Sequence, residues 1–155
     1  MNKPAPRRIG VVMDPISAIK PYKDTSLALM LAAQKKGWQI EYMEVSNLYV
    51  RDGTALGQSR AVQVFDDNQN WFEWRGEPRT LPLGELDAIL MRKDPPFDME
   101  FVASTYVLER AEEQGALVVN APHSLRDCNE KMFATRFPQF TPPTLVSRRS
   151  DILRE

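Results

Sequence analysis

Two apolar runs in this chain end in the same way, and they constrain the fold more than any other feature. The first, "IGVVMDPI", covers residues 9–16, and the second, "ILMRKDPPF", covers residues 89–97. Each is a short apolar run that reaches a methionine and then turns at an Asp-Pro pair. Short unbroken apolar runs are typical of strands that are buried on both faces, as in parallel sheets.

Helical patterns lie between these strands. The first predicted helix runs from Thr25 or Ser26 to about Lys36, with Thr25 as its cap. The predicted inner face of this helix consists of Leu27, Met30, Leu31 and Gln34, of which only Gln34 is polar. A longer helix is predicted over residues 99–114, with Asp98 as its cap. Strands that alternate with helices indicate an α/β fold with a covered sheet.

The remaining pattern completes the predicted order of elements. Strands are predicted at residues 8–13, 38–42, 86–91, 117–120 and 144–147, and a broken helix at 124–137. Residues 46–80 contain several short β-type runs separated by turns, which we interpret as an inserted β-hairpin region. The predicted fold is therefore α/β: a mainly parallel open sheet with helices on both faces, plus a β-hairpin insert.

Charged residues follow the second apolar run directly, as Arg92, Lys93 and Asp94. Open parallel sheets bind ligands beyond the carboxyl ends of their strands, and both Asp-Pro turns belong to that edge. Arg92 offers a planar fork to a substrate carboxylate there. The alternative interpretation is a solvated charged turn, and the spacing leaves both open.

Four further residues are candidates with simpler alternatives. Asp14 ends the first strand and could accept a hydrogen bond from a ligand amine, whereas Asp-Pro is also a common turn pair. Lys20 and Lys23 in the following loop could meet an anion or be solvated. Lys131, in "RDCNEKMF", could hold a phosphate or be one more surface lysine.

Composition excludes several classes of protein. The chain has 20 basic and 21 acidic residues and a net charge of -1, which argues against binding along a nucleic-acid backbone. No apolar run approaches the roughly 20 residues of a membrane helix. A single cysteine, Cys128, and a start without an apolar signal segment favour the cytoplasm.

Several familiar kinds of site are missing from the sequence. His123 is the only histidine, so a histidine metal cluster cannot form, and we interpret His123 and Cys128 as structural. Neither a G-x-G-x-x-G dinucleotide fingerprint nor a P-loop occurs, and there is no G-x-S-x-G nucleophile elbow. The three tryptophans are interpreted as packing residues. These patterns predict a small-ligand edge and leave the reaction unnamed.

Four stretches carry a family resemblance. "VVMDPI", "ILMRKDPPFD", "YVLERAEEQGALVVN" and "SLRDCNEKMF" resemble the amino-terminal part of bacterial glutathione synthetases, almost continuously over residues 9–146. The resemblance implies a pre-ATP-grasp, Rossmann-like domain of an ATP-grasp ligase. Such an enzyme joins γ-glutamylcysteine to glycine with ATP and magnesium, through an acyl phosphate, and releases glutathione. It also implies a homo-oligomer.

Few of the family's functional residues fall within this chain. The resemblance gives Lys131 as the first of two ATP-contacting lysines, Arg92 as a reader of the peptide substrate, and Asp14 as a neighbour of the peptide site. The second lysine, the glycine-rich loop, the magnesium ligands and the catalytic arginine are expected after residue 155. The implied division is a substrate domain over residues 1–147 and the start of a linker over 148–155.

Two functions remain open at this point. One is the amino-terminal domain of a glutathione synthetase, with neither catalytic nor metal-binding residues in this chain and no turnover by the 155 residues alone. Phosphoryl transfer needs several cations around the triphosphate, and this sequence offers one plausible ATP lysine. The alternative is a non-catalytic peptide-binding or oligomerisation module derived from the same family.

Overall fold

The computed structural model describes residues 7–128 and 130–154. Its strands, in chain order, are β1 (Arg8–Met13), β2 (Gln39–Met43), β3 (Leu48–Arg51), β4 (Thr54–Val64), β5 (Phe72–Trp74), β6 (Arg79–Pro82), β7 (Ala88–Arg92) and β8 (Leu117–Val119). The α-helices are α1 (Thr25–Lys35), α2 (Met99–Glu113), α3 (Pro122–Asp127) and α4 (Glu130–Ala134). Among the described residues, no helix has the length and apolar character needed to span a membrane.

The strands form one sheet in the order β3-β4-β2-β1-β7-β8, with β5 and β6 paired to β4. The pairs β2-β1, β1-β7 and β7-β8 are parallel. Every pair that involves β4 is antiparallel. The α/β class is confirmed. The parallel part is the four strands β2-β1-β7-β8, and the insert supplies the antiparallel part.

Strand β1 lies in the middle of the parallel part and is buried on both faces. Val11 packs on the side of α1, against a cluster that includes Met30. Val12 packs on the other side, against a cluster that includes Leu108 of α2. The predicted helices on both faces of the sheet are therefore present. An apolar run without alternation suits a strand covered in this way.

The helix caps agree with the predictions in one case and differ in the other. Asp98 caps α2 by accepting a hydrogen bond from the backbone N–H of Phe101 at 2.9 Å. The cap of α1 is Asp24, which accepts from the N–H of Leu27 at 2.7 Å. The prediction of Thr25 as the cap was wrong, because Thr25 is already the first helical residue.

Gln34 is the polar member of the inner face of α1, and the structure explains it. Its side-chain amide donates to the carbonyl of Val64 at 2.8 Å and accepts from the N–H of Val64 at 2.9 Å. The side chain thereby pairs with the last residue of β4 as a neighbouring strand would.

The inserted region differs from its prediction in detail. Its main strand, β4, has 11 residues and pairs with four other strands, whereas the sequence suggested only short runs. The strand predicted at residues 144–147 is wrong, since these residues have no regular secondary structure. The predicted broken helix is confirmed as α3 and α4, with Cys128 at the end of α3.

Strand β2 carries a buried charge. Glu41 is only 1% exposed. Its carboxylate accepts from the hydroxyl of Ser59 at 2.8 Å and pairs with Arg8 at 3.5 Å and with Arg79. A buried carboxylate needs such partners because burial without them is costly.

Candidate functional site

The candidate site lies where β1 and β7 end. The two strands are in register so that Met13 lies opposite Arg92. Asp14 follows directly, and its carboxylate contacts the loop after β7. One oxygen pairs with the Nζ of Lys93 at 2.9 Å, and the other accepts from the backbone N–H of Asp94 at 3.0 Å. The charges after Met91 therefore lie at the sheet edge and not in the core.

Arg92 is exposed and is held by one of its nitrogens. Its Nε donates to the hydroxyl of Ser26, in the first turn of α1, at 3.2 Å. Ser26 is only 5% exposed, so the guanidinium of Arg92 is held at a buried hydroxyl. Within residues 7–128 and 130–154, no carboxylate forms an ion pair with Arg92. The terminal nitrogens can therefore bind a planar anion in a bidentate manner.

A cavity of about 410 Å³ brings Asp14 and Arg92 together. It lies between the loop at residues 14–24, the start of α1 and the end of β7. Its charged and hydroxyl-bearing lining consists of Asp14, Lys20, Lys23, Asp24, Thr25, Ser26, Arg92 and Asp94.

The cationic side chains of this cavity have fewer bonding partners than its carboxylates. Asp14 is paired with Lys93, and Asp24 caps α1. In the described part of the chain, neither Lys20 nor Lys23 has a carboxylate partner. Together with Arg92 they provide three cationic side chains around one cavity, which suits a ligand with more than one carboxylate.

A second cavity of about 270 Å³ adjoins the first and shares Met13 and Asp14 with it. Its remaining charged lining consists of Glu44, Lys93, Asp98 and Glu100. The described residues contain no group of three or more His, Cys, Asp or Glu side chains placed to hold a metal ion.

Two aromatic residues at this edge were not predicted as part of the site. The hydroxyl of Tyr42 donates to Glu44 at 2.7 Å and accepts from the N–H of Ile16 at 3.3 Å. Burial, and then the hydrogen bond to Glu44, raise the pKa of Tyr42 well above its usual range. The indole N–H of Trp71 donates to the carbonyl of Ile16 at 2.8 Å. Tyr42 was predicted only as a strand residue, and Trp71 only as a packing residue.

The predicted ATP lysine lies in α4, but its side chain is outside what the structure describes. The segment before it is anchored by Arg126, which forms two hydrogen bonds to the carboxylate of Glu109 at 2.9 and 3.0 Å. These bonds hold α3 against α2. His123 and Cys128 are both exposed, and Cys128 is a free thiol.

Comparison with known proteins decides the family. The family model described as "Prokaryotic glutathione synthetase, N-terminal domain" matches residues 8–126. This chain belongs to that family. The matched residues include β1, the whole insert, β7 and Arg126. The family match therefore covers both strands whose ends form the candidate site.

Curated relatives agree with the family model. The chain is 64% identical to the glutathione synthetases of Pseudomonas putida and Pseudomonas aeruginosa over 148 residues, which are 96% of this chain and 46% of each relative. It is 55% identical to the glutathione synthetase of Yersinia pestis over the same share of both chains. The chain thus spans about half the length of the relatives it matches.

Proposed function

We propose that this chain is the amino-terminal, peptide-binding part of a glutathione synthetase, an ATP-dependent ligase that joins γ-glutamylcysteine to glycine. The family assignment supports this proposal. The observation that carries it is Arg92, whose guanidinium faces the larger cavity without a carboxylate partner among the described residues.

The charges of the cavity suit this dipeptide. At neutral pH, γ-glutamylcysteine carries two carboxylates and one ammonium group. We assign one carboxylate to the fork of Arg92 and the other to Lys20 and Lys23 across the cavity. Asp14 forms an ion pair with Lys93 through one oxygen and accepts the N–H of Asp94 at the other, and an ionised carboxylate has about four acceptor sites, so it can also accept from the ammonium group.

The contribution of these residues to the reaction is binding and orientation. In the proposed reaction, the cysteinyl carboxylate receives the γ-phosphoryl group of ATP, and the amine of glycine then displaces phosphate to give glutathione. Holding the dipeptide by its charged groups fixes the reacting carboxylate in one place, which lowers the entropic cost of the step.

The proposed reaction also needs ATP and magnesium, for which the described residues of this chain show no complete site. We propose that Lys131 contacts ATP. The described residues do not offer a set of magnesium ligands, so we derive no step through the metal and propose that its ligands lie elsewhere in the enzyme. From the family resemblance we also propose that the enzyme is cytoplasmic and homo-oligomeric.

Binding of the dipeptide to the 155-residue chain is the first test. Calorimetric titration with γ-glutamylcysteine should give saturable binding. Arg92→Ala should weaken it about 10- to 100-fold, because charge-assisted hydrogen bonds contribute about 1.5–3 kcal/mol. Arg51→Ala is the matched control, since Arg51 is exposed on β3 and does not line the cavity. Equal binding by the chain and by its Arg92→Ala variant would remove Arg92 from the site.

Catalysis is tested by grafting. We expect the 155-residue chain alone to release no ADP when given ATP, γ-glutamylcysteine and glycine. In a graft that replaces the matching segment of the Pseudomonas putida enzyme, Arg92→Ala should raise the KM for the dipeptide, and Lys131→Ala should raise the KM for ATP. ADP release by the ungrafted chain that depends on the dipeptide and on glycine would overturn the first expectation.

A further inference from the structure

Ile16 is the one point in the loop at residues 14–24 where two side chains from elsewhere in the described chain hold the backbone. Its N–H donates to the hydroxyl of Tyr42, on β2, and its carbonyl accepts from the indole N–H of Trp71, just before β5. The side chain of Ile16 is also buried. Both backbone polar groups of a single residue are therefore satisfied by aromatic side chains, one from β2 and one from the segment that leads into β5.

Ring contacts connect Trp71 to Tyr42 through two other aromatic residues. Trp71 contacts Phe72 with ring centroids 5.8 Å apart, and Phe72 contacts Trp74 at 5.2 Å. Trp74 in turn contacts Tyr42 at 5.4 Å. These tilted and edge-on contacts are the favourable arrangements for aromatic pairs. The four rings form a continuous row, and each end of the row bonds to Ile16.

Side-chain bonds fix the loop at three places, and Ile19 between them is partly buried against the same core cluster as Ile16. Asp14 is bound by Lys93 and by the backbone of Asp94, Ile16 is held by the aromatic row, and Asp24 caps α1. Between Ile16 and Asp24 the chain carries Lys20 and Lys23, both of which line the larger cavity. No residue of the short 3-10 helix Pro21–Lys23 is buried.

We propose that Tyr42 and Trp71 are positioning residues for ligand binding, acting through the loop that carries Lys20 and Lys23. By holding Ile16, they set the wall of the cavity opposite Arg92, so that the lysines meet the second carboxylate of the ligand. This inference rests on the proposed function, in which the ligand is γ-glutamylcysteine, and adds the residues that shape its site.

The test uses Tyr42→Phe and Trp71→Phe, which keep an aromatic ring and remove the group that bonds to Ile16. Each should weaken dipeptide binding about three- to tenfold, the effect of the one hydrogen bond lost at Ile16. Tyr42→Phe also removes the bond to Glu44, so Trp71→Phe is the cleaner of the two variants. Hydrogen exchange in residues 15–23 should become faster in both variants. Trp38→Phe is the matched control, since Trp38 precedes β2 at the opposite end of the strand and does not line the cavity.

A mutant cycle separates positioning from a general loss of structure. In a Lys20→Ala/Lys23→Ala background, Trp71→Phe should change the Kd by less than about twofold, because the lysines through which it acts are gone. An equal loss of binding in both backgrounds would overturn the inference, as would unchanged binding by both single variants. Absence of dipeptide binding by the unmodified chain is a different result, and it would overturn the proposed function itself.

Discussion

The Nε of Arg92 donates to the hydroxyl of Ser26 over 3.2 Å, and this bond joins residues that lie 66 positions apart in the chain. It connects the end of β7 to the first turn of α1 and fixes one edge of the guanidinium group. The other edge is left facing the cavity. The direction in which Arg92 presents its fork is therefore determined by a hydroxyl group on a helix.

Removal of the Ser26 hydroxyl should let the guanidinium of Arg92 change its orientation while the group itself remains. Ser26→Ala should weaken γ-glutamylcysteine binding by about two- to tenfold, which is less than Arg92→Ala, because the lost bond contributes about 0.5–1.5 kcal/mol. Titration calorimetry measures the change, and Ser150→Ala, at an exposed position, is the control. A loss as large as that of Arg92→Ala would mean that Ser26 binds the ligand itself.

The cap of α1 gives a prediction that separates two neighbouring residues. Asp24→Ala removes the acceptor for the N–H of Leu27 and should lower the free energy of unfolding by about 1 kcal/mol. Thr25→Ala should change it by no more than about 0.5 kcal/mol, because Thr25 lies inside the helix. Urea unfolding measures both. A greater loss from Thr25→Ala would restore Thr25 as the cap.

Glu41 provides the sharpest prediction for stability. Glu41→Gln leaves Arg79 without a carboxylate and Arg8 with only the exposed Glu85 at 3.9 Å, and it should lower the free energy of unfolding by about 2–3 kcal/mol. The loss should stay below that of a fully buried pair, because Arg79 is 56% exposed and remains hydrated.

The control for this change is an ion pair at the surface. Glu73 pairs with Arg75 at 3.0 Å, and both side chains are exposed. Glu73→Gln should alter the free energy of unfolding by no more than about 0.5 kcal/mol. If the two glutamates gave equal losses in urea unfolding, burial would not be the cause of the effect at Glu41.

The raised pKa of Tyr42 predicts a dependence of stability on pH. Burial and the hydrogen bond to Glu44 make the folded state keep the phenol proton at a pH where the unfolded chain has lost it. The stabilisation is complete below the unfolded pKa of about 10 and is lost as the pH rises from there towards the folded-state pKa.

Urea unfolding at a series of alkaline pH values measures this effect. The unmodified chain should lose stability more steeply above about pH 10 than Tyr42→Phe does, because the variant has no phenol at this site. Phenolate absorbance of the folded chain should show a late step that is missing in Tyr42→Phe. Identical slopes for the two proteins would contradict the prediction.

The sequence predicted those elements whose burial is visible in the apolar pattern. The bounds of β1 agree because its run of apolar residues is buried on both faces. The 11-residue strand β4 was missed because Gln58, Ser59 and Arg60 interrupt its apolar pattern, although Ser59 is buried against Glu41. The run "TLVS" at residues 144–147 has β propensity, but Leu145 and Val146 are exposed. Propensity without a partner strand did not produce a strand.

The site was predictable only to the extent that parallel topology determines it. Asp14 and Arg92 share a cavity because the carboxyl ends of adjacent parallel strands meet, and that rule needs only the order of elements. The contact of Arg92 with Ser26 and the two bonds to Ile16 depend on how a helix and the insert are placed on the sheet. No spacing in the sequence encodes those placements.

The pairing of β1 with β7 also determines when the site can form during synthesis. The backbone N–H of Arg8 bonds to the side chain of Asp87, which is 79 residues further along the chain. At about 5–20 residues per second, a ribosome needs roughly 4–16 s to make that intervening length. Strand β1 therefore waits, with one side unpaired, until the insert and β7 have left the ribosome. The cavity that Asp14 and Arg92 line can form only after β7 has paired with β1.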